Sequence, residues 1–156
     1  MKKQKNPQLQ TLITPIYNQS PTLPPFFSRL HRLLTSRVPL EVLLIDDGST
    51  DGSGELCMRF AKKHPEVRYF RQENQGVSAA RNVGLRHASG KYIFFLDADD
   101  CLADGTIEEV VKFFDSVQEE TDLVTYRIET IYNGRVLPPH FRYRYLKESG
   151  VYDLRE

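Results

Sequence analysis

The 156-residue sequence predicts an α/β protein whose mostly parallel sheet is covered by helices on both faces. Three observations predict it. Apolar β-type runs alternate with segments of helical period, glycine and proline fall at the joints, and two of the apolar runs end in clustered carboxylates. Such alternation implies βαβ units joined by right-handed crossovers. No internal repeat or low-complexity segment interrupts it.

A first strand, Leu9 to Thr14, ends at Pro15. A helix then runs from Pro24 or Pro25 to Thr35, since a first turn tolerates proline. Glu41 to Ile45 is the second strand; an Asp/Gly/Ser loop leads to a helix from Gly54 to His64, stopped by Pro65. Val67 to Arg71 is a short strand. After Glu73-Asn74-Gln75-Gly76, a helix spans Ser78 to Ala88, with Gly90 beyond its end. Tyr92 to Leu96 is aromatic and apolar and reads as a buried strand. The helix Thr106 to Glu119 places Ile107, Val110, Val111, Phe114 and Val117 on one core-facing side. A last strand, Leu123 to Ile131, pairs through Asn133-Gly134 with Arg135 to Leu137.

The acidic strand ends carry the chemistry. Asp97-Ala98-Asp99-Asp100 sets three carboxylates in four residues directly after a strand. Ligands of α/β proteins bind outside the carboxyl ends of such strands. Clustered carboxylates repel one another unless a cation neutralises them, and hard oxygen ligands suit Mg²⁺ or Mn²⁺. A solvated turn that only caps the next helix explains the same residues, and this cluster alone does not decide. The second strand also ends in carboxylates, Asp46 and Asp47, so the two ends suggest one shared site. Capping accounts for Ser49, Thr50, Asp51 and Ser53. It leaves Asp46 and Asp47 unexplained, and they become site candidates.

Composition narrows the classes. A chain of this length with 40% hydrophobic residues forms one domain with a real core. Twenty-one Lys plus Arg balance 21 Asp plus Glu, so no global charge implies a nucleic-acid partner. Cys57 and Cys101 are too few for a disulfide framework and fit a reduced cytoplasmic setting. No run approaches a membrane span and Met1 to Gln10 lacks a signal-peptide core. Membrane association, at the cytoplasmic face, is expected only through regions outside the chain. After Pro138-Pro139 the sequence turns rich in Arg and Tyr, as in His140-Phe141-Arg142-Tyr143-Arg144-Tyr145. An element whose packing partner lies further along explains this run better than a phosphate or sugar site.

Four segments occur in order: Thr14-Pro15-Ile16-Tyr17-Asn18, Asp46-Asp47-Gly48-Ser49-Thr50-Asp51, Asn74-Gln75-Gly76-Val77-Ser78-Ala79-Ala80-Arg81-Asn82 and Asp97-Ala98-Asp99-Asp100. Together they resemble the nucleotide-sugar-binding part of a family 2 glycosyltransferase, over about residues 9 to 130. The resemblance implies a GT-A, Rossmann-like three-layer α/β/α fold and transfer of a sugar from a nucleotide-diphosphate donor to an acceptor hydroxyl of a carbohydrate or glycolipid, inverting and metal-dependent, in polysaccharide or glycoconjugate synthesis. It also implies roles. Pro15 and Tyr17 lie against the base; Asp47 accepts a base N–H and Asp46 supports its loop. Gly76 lets backbone approach the ligand and Arg81 sits near the nucleotide. Asp97 approaches the ribose, while Asp99 and the neighbouring Asp100 hold Mn²⁺ or Mg²⁺.

The resemblance makes 1–137 an incomplete donor-binding domain and 138–156 the start of an acceptor-side segment. Asp122, Glu129 and Asp153 are available as the general base, but none falls in a matching motif. Two departures stand out: Asp104 where a proline is common, and Gln19-Ser20 where an acidic residue is common. A sugar nucleotidyltransferase of related fold would want a Gly-rich basic loop after its first strand, and Thr14 to Ser20 has neither Gly nor Lys. A phospho-receiver domain would want an acidic pair there. A non-catalytic nucleotide-sugar-binding module is the remaining alternative.

Overall fold

The computed structural model describes residues 8–117 and two short strands further on. Strands β1 (Gln10–Ile16), β2 (Leu40–Asp47), β3 (Val67–Gln72) and β4 (Ile93–Phe95) form one parallel sheet in the order β3-β2-β1-β4. Between them run helices α1 (Leu23–Leu34), α2 (Ser53–Ala61) and α3 (Val77–His87), and α4 (Thr106–Val117) follows β4. The chain moves outward from β1 to β3, then returns to place β4 on the other side of β1. This reversal is a topological switch point, and it opens a crevice at the carboxyl ends of β1 and β4.

Side-chain alternation sorts the layers. Ile13, Leu43 and Ile45 face α3 and form a buried cluster with Ala80, against which Val83 and Phe70 pack. The intervening residues, Leu12, Val42 and Leu44, are equally buried on the opposite face, which α2 covers with α1 packed beside it. Pro15 lies inside β1 rather than ending it. The Thr11 N–H and Ile13 carbonyl point at β4, so Pro15 faces the same side, where pairing with β4 has already stopped at Ile13. Its missing N–H therefore costs no ladder bond.

Most expected boundaries move by one or two residues, and one difference matters. Phe95 is exposed, not buried: β4 is the last strand of the described sheet order, and the Arg81 guanidinium lies 5.8 Å from the Phe95 ring centroid.

The chain divides into two units, Met1–Glu109 and Val110–Glu156. In the second, β5 (Thr130–Tyr132) pairs antiparallel with β6 (Arg135–Leu137), with Tyr132 opposite Arg135, and the expected Asn133-Gly134 turn lies outside the described residues. The rest of the expected last strand, the Arg/Tyr-rich run, and Asp122, Glu129 and Asp153 lie outside the described residues.

Candidate functional site

The adjacent carboxylates of β2 point to opposite faces of the sheet, as consecutive strand residues must. Asp46 faces α2 and is wholly buried. Its Oδ1 accepts the Ser49 N–H at 2.8 Å and its Oδ2 accepts the Tyr69 hydroxyl at 2.7 Å, with Arg71 Nη1 3.5 Å away. Burial and the bond to Asp46 both raise the Tyr69 phenol well above its ordinary value. A Cβ on Gly54 would stand 2.8 Å from both Asp46 Oδ2 and the Tyr69 oxygen, so only glycine lets α2 come this near. Cys57 is buried on the same side; burial, then the Asp46 charge, push its thiol up to about 12, which leaves it unreactive.

Asp47 faces the other way, towards the start of α3. Its Oδ1 accepts Gln72 Nε2 at 2.7 Å and the Gln75 N–H at 2.9 Å, and its Oδ2 accepts the Gly76 N–H at 2.8 Å. Three of about four acceptor positions are thus taken, leaving one on Oδ2. Gly76, at φ 89°, turns the chain into α3 in a conformation that a side chain would disfavour. Next to Asp47, Gly48, Arg71, Gln72, Glu73 and Asn74 line an open hollow of about 520 Å³.

Asp51 Oδ1 accepts the Ser53 N–H at the first residue of α2, but the hydroxyls after β2 do not cap the helix, whose N-cap is Gly52 with no side-chain bond. They brace the loop after β1 instead. Ser49 Oγ accepts the Asn18 N–H, Ser53 Oγ the Gln19 N–H and Asp51 Oδ2 the Ser20 N–H, while Asn18 Oδ1 accepts the Thr50 N–H. Asn18 reaches this position with φ 49°, which asparagine tolerates better than most residues. The departure at Gln19-Ser20 therefore leaves their backbone well held. Burial would raise the Asp51 carboxyl, but bonds from Ser53 and Ser20 outweigh it and hold it well below the usual range. Braced in this way, Tyr17 stands half-exposed at the end of β1, beside the half-buried Pro15.

Arg81 on α3 reaches across to the end of β4. Its Nη2 donates to both Asp97 oxygens, at 2.9 and 3.2 Å, and its buried Nε has no partner. With the two side chains 35% and 44% exposed, the pair itself stabilises the fold by at most about 1 kcal/mol. Asp99 and Asp100 follow at the exposed rim, and neither carboxylate accepts a hydrogen bond or joins an ion pair. Partial burial, then the charges of Asp99 and Asp97, raise the Asp100 carboxyl above its ordinary value. This mutual repulsion is what a bound divalent cation relieves. No three His, Cys, Asp or Glu side chains converge as a cage among the described residues. One or two carboxylates suffice for Mg²⁺ or Mn²⁺ when phosphate and water complete the shell, so the oxygen donors present fit such an ion.

Sequence reasoning passed over Tyr69, Arg71 and Gln72. They enter through register: Arg71 is the β3 partner of Asp46 and Gln72 that of Asp47. The polar end of β3 was the available signal.

With this geometry in view, the comparisons define the class. The profile of Glycosyl transferase family 2 matches residues 11–151, and the chain belongs to that family. It is 38% identical over 115 residues to the minor teichoic acid biosynthesis protein GgaB of Bacillus subtilis, covering 73% of this chain and 13% of GgaB. It is 37% identical over 107 residues to the glycosyltransferase GlyA of Streptococcus pneumoniae, covering 65% of this chain and 14% of GlyA. The chain thus spans about a seventh of these relatives' length. Among solved structures it resembles a mannosyltransferase from Pyrobaculum calidifontis in complex with GDP-Man and Mn²⁺, at TM-score 0.60 and 32% identity, covering 70% of this chain and 32% of that one. The fold also matches S. aureus TarS in complex with UDP-GlcNAc, at TM-score 0.62 and 24% identity, covering 83% and 37%. The α/β sheet described above is the GT-A fold of these glycosyltransferases.

Proposed function

We propose that this chain forms the donor-binding part of an enzyme that transfers a sugar, with inversion, from a nucleotide diphosphate to a hydroxyl of a carbohydrate or glycolipid, in polysaccharide or glycoconjugate synthesis. One observation carries the reading. Tyr17, the Asp47–Gly76 loop, the Arg81–Asp97 pair and the Asp99-Asp100 rim all lie at the carboxyl edge of one sheet, around its switch point. Its four motifs and a 32% identical mannosyltransferase with GDP-Man and Mn²⁺ support it. Two relatives named for teichoic acid synthesis and for glycosyl transfer support a glycan acceptor.

On this reading Tyr17 and Pro15 offer a flat apolar surface to the base, and the open acceptor position on Asp47 Oδ2 takes a base N–H. Asp46, buried beneath, fixes the strand end. Gly76 admits the nucleotide to the start of α3. Asp97, oriented by Arg81, accepts a ribose hydroxyl. Asp99 and Asp100 hold Mn²⁺ or Mg²⁺, which when bound neutralises the growing charge on the diphosphate leaving group. Inverting transfer also needs a base for the acceptor hydroxyl. Asp122, Glu129 and Asp153 are available carboxylates, but none falls in a motif of the family, and no residue is assigned that role.

Calorimetry with UDP, GDP and dTDP, each with and without Mn²⁺, tests the donor site. Release of labelled sugar from the donor that binds then tests for turnover. Binding of none of the three nucleotides by the folded chain would overturn the reading.

A further inference from the structure

The chain's own hydrogen bonds leave Asp47 little to offer a ligand. Its Oδ1 accepts two protons, from Gln72 Nε2 and the Gln75 N–H, and its Oδ2 accepts one, from the Gly76 N–H. A single acceptor position remains, on Oδ2. The hollow beside it is lined by Gly48, Arg71, Gln72, Glu73 and Asn74. The Arg71, Gln72 and Asn74 side chains carry more N–H groups than the bonds to Ser49 and Asp47 use.

We infer that this arrangement selects a nucleotide sugar built on uracil or thymine over one built on guanine, and that Gln72 sets the choice. Such selection presupposes, as proposed above, that Asp47 faces the base. Uracil and thymine present one N–H between two carbonyls. The N–H fills the last position on Asp47, leaving the carbonyls to the N–H groups of the hollow. Guanine presents two adjacent N–H groups, on ring N1 and on the 2-amino nitrogen. A carboxylate with a free position on each oxygen takes both side by side. Here Gln72 and Gln75 have filled Oδ1, so one guanine N–H leaves water with no acceptor to replace it. Glu73 is the other carboxylate at the hollow, but it is exposed, and a bond to it only replaces one to water. Size does not decide, since an open hollow of about 520 Å³ has room for a purine. Nor does the sheet, because proteins of this fold hold GDP-Man in one case and UDP-GlcNAc in another.

Calorimetry at one Mn²⁺ concentration tests this with UDP, 5-methyluridine diphosphate, GDP and inosine diphosphate, which share ribose and diphosphate. UDP and its 5-methyl analogue, which carries thymine, should each bind roughly tenfold or more tighter than GDP. Inosine diphosphate is a purine lacking only guanine's 2-amino group, so it should recover most of that loss. Gln72→Ala opens a position on Oδ1, and GDP should gain roughly tenfold on inosine diphosphate. Glu73→Gln should leave that ratio unchanged. GDP as tight as UDP, or inosine diphosphate no tighter than GDP, would overturn the inference while the donor site stands. So would an unmoved ratio in folded Gln72→Ala, or a selective loss of GDP in Glu73→Gln. Binding of none of the four would instead sink the donor site itself.

Discussion

At the amino end of β2, Glu41 accepts the Thr11 hydroxyl and the Ser89 N–H, both at 2.6 Å, while Thr11 in turn accepts the Gly90 N–H. At the carboxyl end of the sheet, Asp46 is held in the same manner and Asp47 nearly so, with one acceptor position open, yet Asp99 and Asp100 stand beyond them with no partner. The two edges use one residue type for two purposes. A carboxylate whose lone pairs are filled by its own chain joins strands to loops. Carboxylates left open at the rim gain nothing for the fold and repel one another, which is tolerable only where a cation or ligand group answers them. Satisfaction of the acceptor, more than the presence of an Asp, separates foundation from site.

Asp46→Ala should show the largest effect. It strands the Ser49 N–H and the Tyr69 hydroxyl in a buried setting, each at about 1–3 kcal/mol, while the half-exposed Arg71 rehydrates. A loss of roughly 2–4 kcal/mol by urea denaturation is expected. A near-neutral result would remove Asp46 from the foundation.

Glu41→Ala should cost less, about 1–3 kcal/mol, at the opposite edge. Its cost should also depend on pH. Burial works to raise the Glu41 carboxyl, but the Thr11 and Ser89 bonds, then the Arg68 charge, hold it below its ordinary value. A depressed carboxyl stabilises the fold above its unfolded pKa, and that contribution is lost as pH falls through the folded one. The gap between wild type and Glu41→Ala should therefore be full at neutral pH and shrink below about pH 4. A gap that does not change with pH would mean the charge is irrelevant there.

Why Asp46 and Asp47 stand together was open from the sequence and has a plain answer in space. The motifs, the strand–helix alternation and the acidic strand ends all follow local rules of period and turn chemistry, so they could be read directly. The division of labour between neighbours could not. It depends on β2 continuing through Asp47 and on a register that sets Arg71 and Gln72 opposite the pair. Likewise Ser49 and Ser53 have the composition of helix caps. Their actual partners, the N–H groups of Asn18 and Gln19, lie more than 30 residues away in sequence. Local chemistry lists the possible partners and tertiary pairing selects among them.

Asp47→Ala tests the intermediate case, a carboxylate three-quarters used by its own chain. Removing it should weaken nucleoside diphosphate binding by roughly 1–3 kcal/mol through the lost base contact. Hydrogen exchange at Gln75 and Gly76 should rise as well, since both N–H groups lose their acceptor. Faster exchange with unchanged affinity would confine Asp47 to the foundation.

Asp99→Asn should change the fold least and the binding behaviour most selectively. The substitution keeps the shape of an exposed side chain that accepts no hydrogen bond, so stability should move by less than about 0.5 kcal/mol. What movement there is has a defined sign. The Asp99 charge helps raise Asp100, and a raised carboxyl penalises the fold as pH rises past its unfolded pKa, in full above the folded one. Asp99→Asn should thus be neutral or slightly stabilising at neutral pH and without effect in acid. Binding should respond differently. Carboxylates at an open rim make a weak Mn²⁺ site until phosphate oxygens complete the shell, so UDP or GDP should tighten Mn²⁺ binding in the wild type. By linkage, Mn²⁺ must tighten the nucleotide by the same factor. Asp99→Asn should abolish that coupling while leaving metal-free nucleotide affinity intact. A turn that only capped a helix would lose almost nothing, because asparagine caps as well as aspartate. Titrating Mn²⁺ with and without nucleotide, for both proteins, separates the two. Equal Mn²⁺ affinity in all four titrations would place Asp99 outside any metal site.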